Sequence, residues 1–271
     1  MSLADAGPVL LVGAGKMGMA MAQGWVKAGL PGAALTLVDP QPHESVKVFA
    51  ETAGAAVRTD LPGETPRVVV LAVKPQVMGS VLGELKPIIG DETLVISIAA
   101  GISIAKIVDG LGTERVVRTM PNTPAQLGKG ITGAAAAPAV TGKDREIADA
   151  MLAAAGEIVW VEAEQLLDAV TAVSGSGPAY VFYLVEALAA AGVAQGLSDE
   201  QAMKLARQTV VGAAALLEAD ASEAAQLRKN VTSPAGTTEA ALNVLMAEDG
   251  LAPLISRTVA AARARSEELG Q

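Results

Sequence analysis

The feature that most constrains this chain is a series of short apolar runs separated by stretches with a helical pattern. Five runs lie in the first half, at residues 9–12, 35–38, 68–71, 94–96 and 116–117. Each run is apolar throughout rather than alternating, which suits a strand that is covered on both faces. The stretches between them, such as 16–28 and 102–111, are long enough for crossover helices. The sequence therefore predicts an α/β fold with a doubly wound, parallel sheet.

The pattern changes after about residue 140. A short run at 158–161 is the last predicted strand, and helices are predicted at 164–173, 179–195, 199–219, 236–247 and 251–269. Ser198 followed by Gln201 has the spacing of a capping box at a helix start. We therefore expect two domains: a Rossmann-like domain at 1–163 and an all-α domain at 164–271.

A glycine-rich sequence follows the first predicted strand and opens the first predicted helix. It reads Gly13-Ala14-Gly15-Lys16-Met17-Gly18, which has the GxGxxG spacing. The first glycine permits a tight turn, the second lets the backbone approach a pyrophosphate, and the third lets helix and strand pack closely. The free N–H groups of the helix start then face the phosphates. This context favours dinucleotide binding over an ordinary glycine turn.

Asp39 ends the second predicted strand, 21 residues after Gly18. Its carboxylate can accept hydrogen bonds from an adenosine ribose and repels a 2′-phosphate, which favours NADH over NADPH. No arginine follows at 40–43, although His43 and Lys47 could supply positive charge. The alternatives are that Asp39 only initiates an Asp-Pro turn and that His43 is a solvated loop residue.

The composition excludes several kinds of chemistry. With no cysteine and a single histidine, the chain cannot form a disulfide, a thiolate nucleophile or a His-rich metal site, and we expect no metal. The net charge of −9 and 2% aromatic residues argue against a nucleic-acid partner. No signal peptide is evident at residues 1–5. The apolar stretch 181–193 contains Glu186 and is short for a membrane span, so we expect a buried helix in a soluble, cytoplasmic protein.

Several separated motifs together resemble the pyrroline-5-carboxylate reductase family. They occur in the family's order and extend over nearly the whole chain. The matching segments are 12–18 (VGAGKMG), 71–75 (LAVKP), 97–101 (SIAAG), 118–124 (RTMPNTP), 173–180 (VSGSGPAY) and 231–238 (VTSPAGTT). The glycine loop is generic, whereas the last two segments are specific to the family. Lys16 and Gly18 depart from common versions of the loop, and Asp39 departs from the hydroxyl or amide found in NADP-using relatives.

The resemblance implies reduction of the C=N bond of 1-pyrroline-5-carboxylate to L-proline by NADPH or NADH, the last step of proline biosynthesis. It implies a helical domain that forms homodimers, which commonly join into decamers. It also assigns cofactor contacts beyond the glycine loop and Asp39. These are Ala72, Val73, Lys74, Pro75, Ala100, Met120, Pro121, Asn122 and Asn230. Alternatively, Lys74 is a solvated cation, Met120 packs in the core, and 174–178 only starts a helix.

The segment 233–238 precedes an apolar helical pattern and is the predicted substrate site. The resemblance places the substrate here. Backbone N–H groups of Gly236, Thr237 and Thr238 would point outward as an anion site for the substrate carboxylate, and the Ser233 hydroxyl can add a donor. Thr238 can reach the ring nitrogen, so Thr238 and Ser233 are the predicted catalytic residues. The alternative is plain helix capping by Ser233 or Thr237.

Two other classes of protein remain open from the sequence. One is a related two-domain reductase, such as an imine reductase or a β-hydroxyacid dehydrogenase, which uses a lysine near a glycine-rich helix start. Lys204 lacks that setting. The other is a non-catalytic dinucleotide-binding protein, which has no need of a substrate segment such as 233–238.

Overall fold

The computed structural model describes residues 3–270, so residues 1 and 2 of the N-terminal segment discussed above, and residue 271, lie outside the described part. Two compact units are found, residues 3–175 with 262–270, and Ser176–Ala261. The short segment 164–175 groups with the first unit. The predicted domain boundary after residue 163 stays a prediction.

The first unit is built on one eight-stranded sheet with the order β3-β2-β1-β4-β5-β6-β7-β8. Its strands are β1 Val9–Val12, β2 Leu35–Val38, β3 Ala56–Arg58, β4 Val68–Leu71, β5 Leu94–Ser97, β6 Val116–Met120, β7 Gly130–Ala136 and β8 Gly156–Trp160. The six predicted strands are confirmed. All neighbours pair in parallel except β6 and β7, which are antiparallel, so the predicted parallel sheet is confirmed and carries one antiparallel pair.

The two strands missing from the prediction have weak sequence signals. β3 has three residues and is partly exposed. β7 has the sequence GITGAAA, which is poor in the branched side chains that strands usually carry. Its glycine at 133 is required by packing, because a Cβ atom there would lie 2.6 Å from a methyl group of Val170.

The central strands are buried on both faces, as their continuous apolar runs predict. Val9 and Leu11 pack on one side of the sheet with Trp25, whose indole N–H donates to the carbonyl of Met151 at 2.7 Å. Leu10 and Val12 pack on the other side, in a cluster that includes Met78, Leu82 and Ile107. The sheet is therefore the middle of three layers.

The helices of this unit cover the sheet. They are α1 Lys16–Lys27, α2 Glu44–Ala53, α3 Met78–Leu85, α4 Ile104–Leu111, α5 Gly142–Ala153 and α6 Leu166–Val170, with a π-helical turn at Thr171–Gly175. The strand order reverses between β1 and β4, which places the loops after β1, β4 and β5 at one edge. Val12 pairs with Leu71, and Leu71 pairs with Ser97. Ligands of open α/β sheets bind at this position.

The second unit is helical, as predicted. Its helices are α7 Gly177–Ala194, α8 Asp199–Ala219, α9 Ala224–Asn230, α10 Thr237–Leu245 and the first part of α11, Leu251–Leu269. The capping box of Ser198 and Gln201 is confirmed, with the Gln201 N–H donating to Ser198 Oγ at 3.3 Å. The short helix α9 was not predicted.

The apolar helix α7 is mostly exposed in the single chain, so the prediction that 181–193 is a buried helix is wrong for the isolated subunit. Ala189 is its one buried residue, while Phe182 and Tyr183 are 64% and 70% exposed. The physical reason is that α7 packs against α8 through a small cluster, in which Ala189 lies with Ala202 and Ala206 and Val185 packs against them. By length and composition, Leu166–Ala194 is long and apolar enough to cross a membrane, and exposed apolar surface of this kind also marks a protein interface.

Candidate active site

The glycine loop has the geometry of a phosphate cradle. Gly13 adopts φ +99°, and a Cβ atom there would lie 2.7 Å from the carbonyl oxygen of Ala72. Gly15 is the N-cap of α1, and a Cβ atom on it would meet nothing within 4 Å. A Cβ atom on Gly18 would overlap the carbonyl oxygen of Gly13. The first and third glycines are therefore required by the protein itself, and the second leaves room beside the helix start.

Asp39 joins the end of β2 to this loop. Its Oδ2 accepts from the Ala14 N–H at 3.0 Å, and its Oδ1 accepts from the Gln41 N–H at 2.9 Å. The second contact is a turn within the Asp-Pro segment, so Asp39 also initiates a turn. Since each carboxylate oxygen can accept a further hydrogen bond, Asp39 is still able to bind a ribose hydroxyl.

A cavity of about 410 Å³ opens along the loop and continues over the ends of β2 and β4. Six of the predicted cofactor residues line it. They are Gly13, Gly15, Asp39, Ala72, Val73 and Lys74. The other walls come from Pro40, the segment 59–61 after β3, and one side of α3 with the turn before it, namely Val77, Ser80, Val81 and Glu84. The cavity therefore extends from the glycine loop, past the end of β2, to the segment after β3.

The remaining loop residues lie outside the lining of this cavity. Lys16 is exposed on the first turn of α1, while Met17 packs against the core. Pro75 begins the short turn at Pro75–Val77. Lys74, by contrast, lines the cavity and is exposed in the loop between β4 and this turn, which agrees both with its predicted cofactor contact and with a solvated role.

The predicted nicotinamide residues of the first unit follow β5 and β6. Ala100 is exposed on the loop after β5. Pro121 and Asn122 are buried just beyond β6, and the side-chain methyl of Met120 lies beside Gly175. Asn122 Nδ2 donates to the carbonyl of Ser174 at 3.2 Å. Its Oδ1 accepts from the Ile131 N–H at 3.0 Å. The Asn122 amide is therefore engaged with the protein and fixes the loop after β6.

An ion pair that the sequence analysis did not predict joins β6 to the start of α4, near the loops that follow β5 and β6. Arg118 on β6 donates to Glu164 Oε1 at 2.7 Å, and the Ile104 N–H at the start of α4 donates to the same oxygen at 2.8 Å. Both side chains are mostly buried, at 13% and 23% exposure. Arg118 belongs to the 118–124 motif, but nothing in the sequence identifies Glu164 as its partner.

The predicted substrate segment belongs to the second unit, where α10 begins at Thr237 with Gly236 as its N-cap. The Gly236 N–H donates to the Ser233 carbonyl at 3.0 Å, so the expectation that it points outward as a free donor is wrong. The cause is the tight turn that Pro234 and Ala235 form between these residues. Among the described residues, no protein acceptor is found for the N–H groups of Thr237 and Thr238. Of the three N–H groups in the predicted anion site, two are thus left without a protein acceptor, and capping of α10 by a side chain is not observed.

The turn before α10 is held in an uncommon backbone conformation. Ala235 has φ +53°, the left-handed region that non-glycine residues seldom adopt. Its N–H donates to Glu239 Oε2 at 2.7 Å, so Glu239 closes the turn from the first turn of α10. Asn230, the predicted nicotinamide contact at the end of α9, accepts from Gln226 Nε2 through its side-chain oxygen at 2.8 Å.

The sequence analysis did not predict the cavity-lining residues of α3, of the turn before it and of the segment after β3. These residues carry no motif. The available signal was the spacing of Val77, Val81 and Glu84, which places all three on one side of a helical pattern. Such a stripe is found on many helices, so only the structure distinguishes it.

Comparisons with known proteins agree with this geometry. A family model described as pyrroline-5-carboxylate reductase dimerisation matches residues 164–269, and one described as NADP oxidoreductase, coenzyme F420-dependent, matches 8–101. The chain is 42% identical to the pyrroline-5-carboxylate reductase of Pseudomonas aeruginosa over 97% of either chain. It is 37% identical to that of Pisum sativum over 98% of this chain and 97% of the relative.

Solved structures give the same result over the full length. A pyrroline-5-carboxylate reductase from Coxiella burnetii is 35% identical, with a TM-score of 0.92 over 98% of this chain and 99% of that chain. The Plasmodium falciparum enzyme, solved with NADP bound, is 30% identical, with a TM-score of 0.80 over 97% and 98% of the two chains. The dimerisation match includes Leu166–Ala194, the stretch that is long and apolar enough to cross a membrane. The chain belongs to the pyrroline-5-carboxylate reductase family.

Proposed function

We propose that this protein reduces 1-pyrroline-5-carboxylate to L-proline with NADH or NADPH, as the last step of proline biosynthesis. The observation that carries the proposal is the cradle formed by Gly13, Gly15 and Asp39, on a chain that matches pyrroline-5-carboxylate reductases from end to end. The empty space around Gly15 and the free carboxylate lone pairs of Asp39 fit a dinucleotide. The bound dinucleotide supplies a hydride, and a solvent proton completes the amine.

The chain's own part in the reaction is binding and orientation. The carbon of the C=N bond accepts the hydride and the nitrogen accepts a proton, so no protein nucleophile and no metal are required. We assign the substrate carboxylate to the N–H groups of Thr237 and Thr238, with the Ser233 hydroxyl as a further donor. We assign the Thr238 hydroxyl to the ring nitrogen, where it stabilises the protonated form. The lack of cysteine and the single histidine agree with such a site.

We assign the remaining predicted residues to the cofactor. Lys16, Met17 and Gly18 follow the cradle into α1, Pro75 continues the loop after β4, and Ala100 follows β5. Met120, Pro121 and Asn122 follow or end β6, and Asn230 ends α9. For Asn122 the role is to position its loop, because its amide is already engaged.

We propose a homodimer formed through the helical domain, with assembly into decamers, in the cytoplasm. The exposed apolar side chains of α7 support a dimer because isolated soluble proteins seldom expose a patch of this kind. Light scattering should give at least twice the mass of one 27.2 kDa chain. A strictly monomeric mass would contradict the dimer.

The test of the function is oxidation of NADH and of NADPH with pyrroline-5-carboxylate, compared with 3-hydroxy acids, other cyclic imines and no substrate. Turnover with the first substrate alone supports the proposal. Turnover with a 3-hydroxy acid or another imine instead would identify one of the related reductases, and binding without turnover would identify a non-catalytic protein.

The role of Thr238 has its own test. Replacing it with valine removes one hydrogen bond to a charged group, which should raise the activation free energy by about 1.5 kcal/mol. The expected result is a fall in kcat/KM of about tenfold. Thr258→Val is the matched control, since that hydroxyl donates to the Leu254 carbonyl within α11. Unchanged kcat/KM in the Thr238 variant would remove Thr238 from the mechanism.

A further inference from the structure

A second cavity adjoins the dinucleotide cavity at its ribose end. It measures about 440 Å³ and is lined by Pro42, Lys47, Val57, Arg58, Thr59 and Asp60. Thr59 and Asp60 line both cavities. The Asp39 N–H donates to the Arg58 carbonyl at 3.1 Å, so the second cavity opens directly beside Asp39. On the proposed function, on which this inference rests, this is where the 2′-position of the adenosine ribose would lie.

Of the two cations that line this second cavity, Arg58 has the guanidinium group that can bind a phosphate through two donors, and this group is already paired with Asp60. Its Nη2 donates to both carboxylate oxygens of Asp60, at 3.1 and 3.0 Å, and its Nε donates to the Asp60 carbonyl at 3.3 Å. The guanidinium is thereby held against its own loop. Lys47 makes one long contact of 3.4 Å with Glu44.

The charges of the two cavities disfavour a further phosphate. Asp39, Asp60 and Glu84 line the first cavity, with Lys74 as its one cation among the described residues. A 2′-phosphate would need the Arg58 guanidinium, which binds phosphate in a two-pronged fashion. Asp60 disfavours binding of a 2′-phosphate in two ways. Its carboxylate already accepts the hydrogen bonds of the Arg58 guanidinium, and its negative charge repels the phosphate.

We infer that Asp60 is a specificity-determining residue that masks Arg58 and so makes this enzyme prefer NADH to NADPH. Asp39 contributes at the ribose hydroxyls, and Asp60 acts at the position of the 2′-phosphate. Neutralising Asp60 frees Arg58 to become a phosphate ligand without disturbing the cradle at Gly13 and Gly15. The Asp60 side chain is 72% exposed, so the substitution leaves the core untouched.

The experiment measures the affinity of the full-length protein for NADH and NADPH by calorimetry, with 5′-AMP and 2′,5′-ADP as fragments that lack the nicotinamide. Wild type should bind NADH at least about fivefold more tightly than NADPH. Asp60→Asn should tighten NADPH and 2′,5′-ADP by about tenfold, the effect of one charge-assisted pair, and leave NADH within about twofold. Adding Arg58→Ala to this variant should abolish the gain.

The control is Glu51→Gln, which removes the same charge from α2 outside the lining of both cavities. It should leave the NADH-to-NADPH ratio of wild type unchanged. The inference is overturned if wild type prefers NADPH, if Asp60→Asn gains no affinity for NADPH, or if the gain persists without Arg58. In each of these cases NADH or NADPH still binds, so the proposed function stands. A wild-type protein that binds neither dinucleotide overturns the proposed function and this inference with it.

Discussion

Two glycines of the same loop should respond to alanine in opposite ways. Gly18 lies in the first turn of α1, where a Cβ atom would overlap the Gly13 carbonyl oxygen and lie 3.2 Å from the Cβ atom of Ala72. Neither neighbour can move without shifting the loop or β4, because the Gly13 N–H is bound to the Val38 carbonyl at 2.8 Å. Gly15 has open space instead, and its φ of −71° is accessible to alanine.

These contacts determine how much each substitution should change the stability and the NADH affinity of the protein. Gly18→Ala is an overpacking substitution against backbone, which costs about 2 kcal/mol and lowers Tm by about 4–8 °C. It should also weaken dinucleotide binding, since the cradle must shift. Gly15→Ala should change stability by less than about 1 kcal/mol, because the methyl group meets only space. That space is where the pyrophosphate is proposed to lie, so NADH affinity should fall by at least about tenfold.

Thermal unfolding and NADH titration of the two variants test this reasoning, with Gly79→Ala on α3 as a control whose added methyl group meets nothing within 4 Å. An unchanged Tm for Gly18→Ala would refute the close helix–strand contact. An unchanged NADH affinity for Gly15→Ala would refute the cradle.

Three further predictions concern the first unit and the subunit interface. Asp144, fully buried, accepts from Arg115 at 2.5 Å, so Asp144→Asn should lose at least about 2 kcal/mol in urea unfolding at pH 7. Burial opposes its ionisation, but Arg115 and Thr141 outweigh this and lower the pKa of Asp144, so its stabilisation is complete above about pH 4 and lost as the pH falls through the lowered pKa. The free energy of unfolding of wild type should therefore fall more steeply below about pH 4 than that of the Asn variant, which lacks this component; an equal pH dependence would contradict the pair's role. Gly101→Ala should lower Tm measurably, since φ is +71° and a Cβ atom would lie 2.9 Å from the Leu269 carbonyl oxygen; an unchanged Tm would exclude that contact. Phe182→Glu should shift the mass in light scattering toward the single chain, and an unchanged mass would place Phe182 outside the interface.

The sequence was sufficient for the architecture of the first unit because its strands are buried on both faces. Continuous runs such as 9–12 and 68–71 have no exposed face to interrupt them, and the glycine loop identified the strand–turn–helix unit. β7 was missed because a close contact that requires glycine comes from a residue far along the chain, where a Cβ atom on Gly133 would meet Val170 of α6. The antiparallel direction of β7 was missed as well, because the local propensities of residues do not determine which strands pair or in which direction.

The candidate site was predictable where backbone conformation dictates the residue type. Gly13 and Gly18 have steric reasons that a spacing pattern reveals, and Asp39 follows its strand. The pairing of Arg58 with Asp60 and the engagement of the Gly236 N–H were not predictable, because they depend on local geometry rather than on residue type. The exposure of α7 similarly reflects a surface that a partner chain is proposed to cover.

The central claim is tested most directly by following the hydride itself. The protein is incubated with pyrroline-5-carboxylate and NADH deuterated at the nicotinamide carbon that donates, and the product is analysed by mass spectrometry and NMR. The account predicts L-proline that carries deuterium at the former imine carbon, formed in proportion to the NADH oxidised. Unlabelled proline, or oxidation of NADH and NADPH without proline, would contradict it.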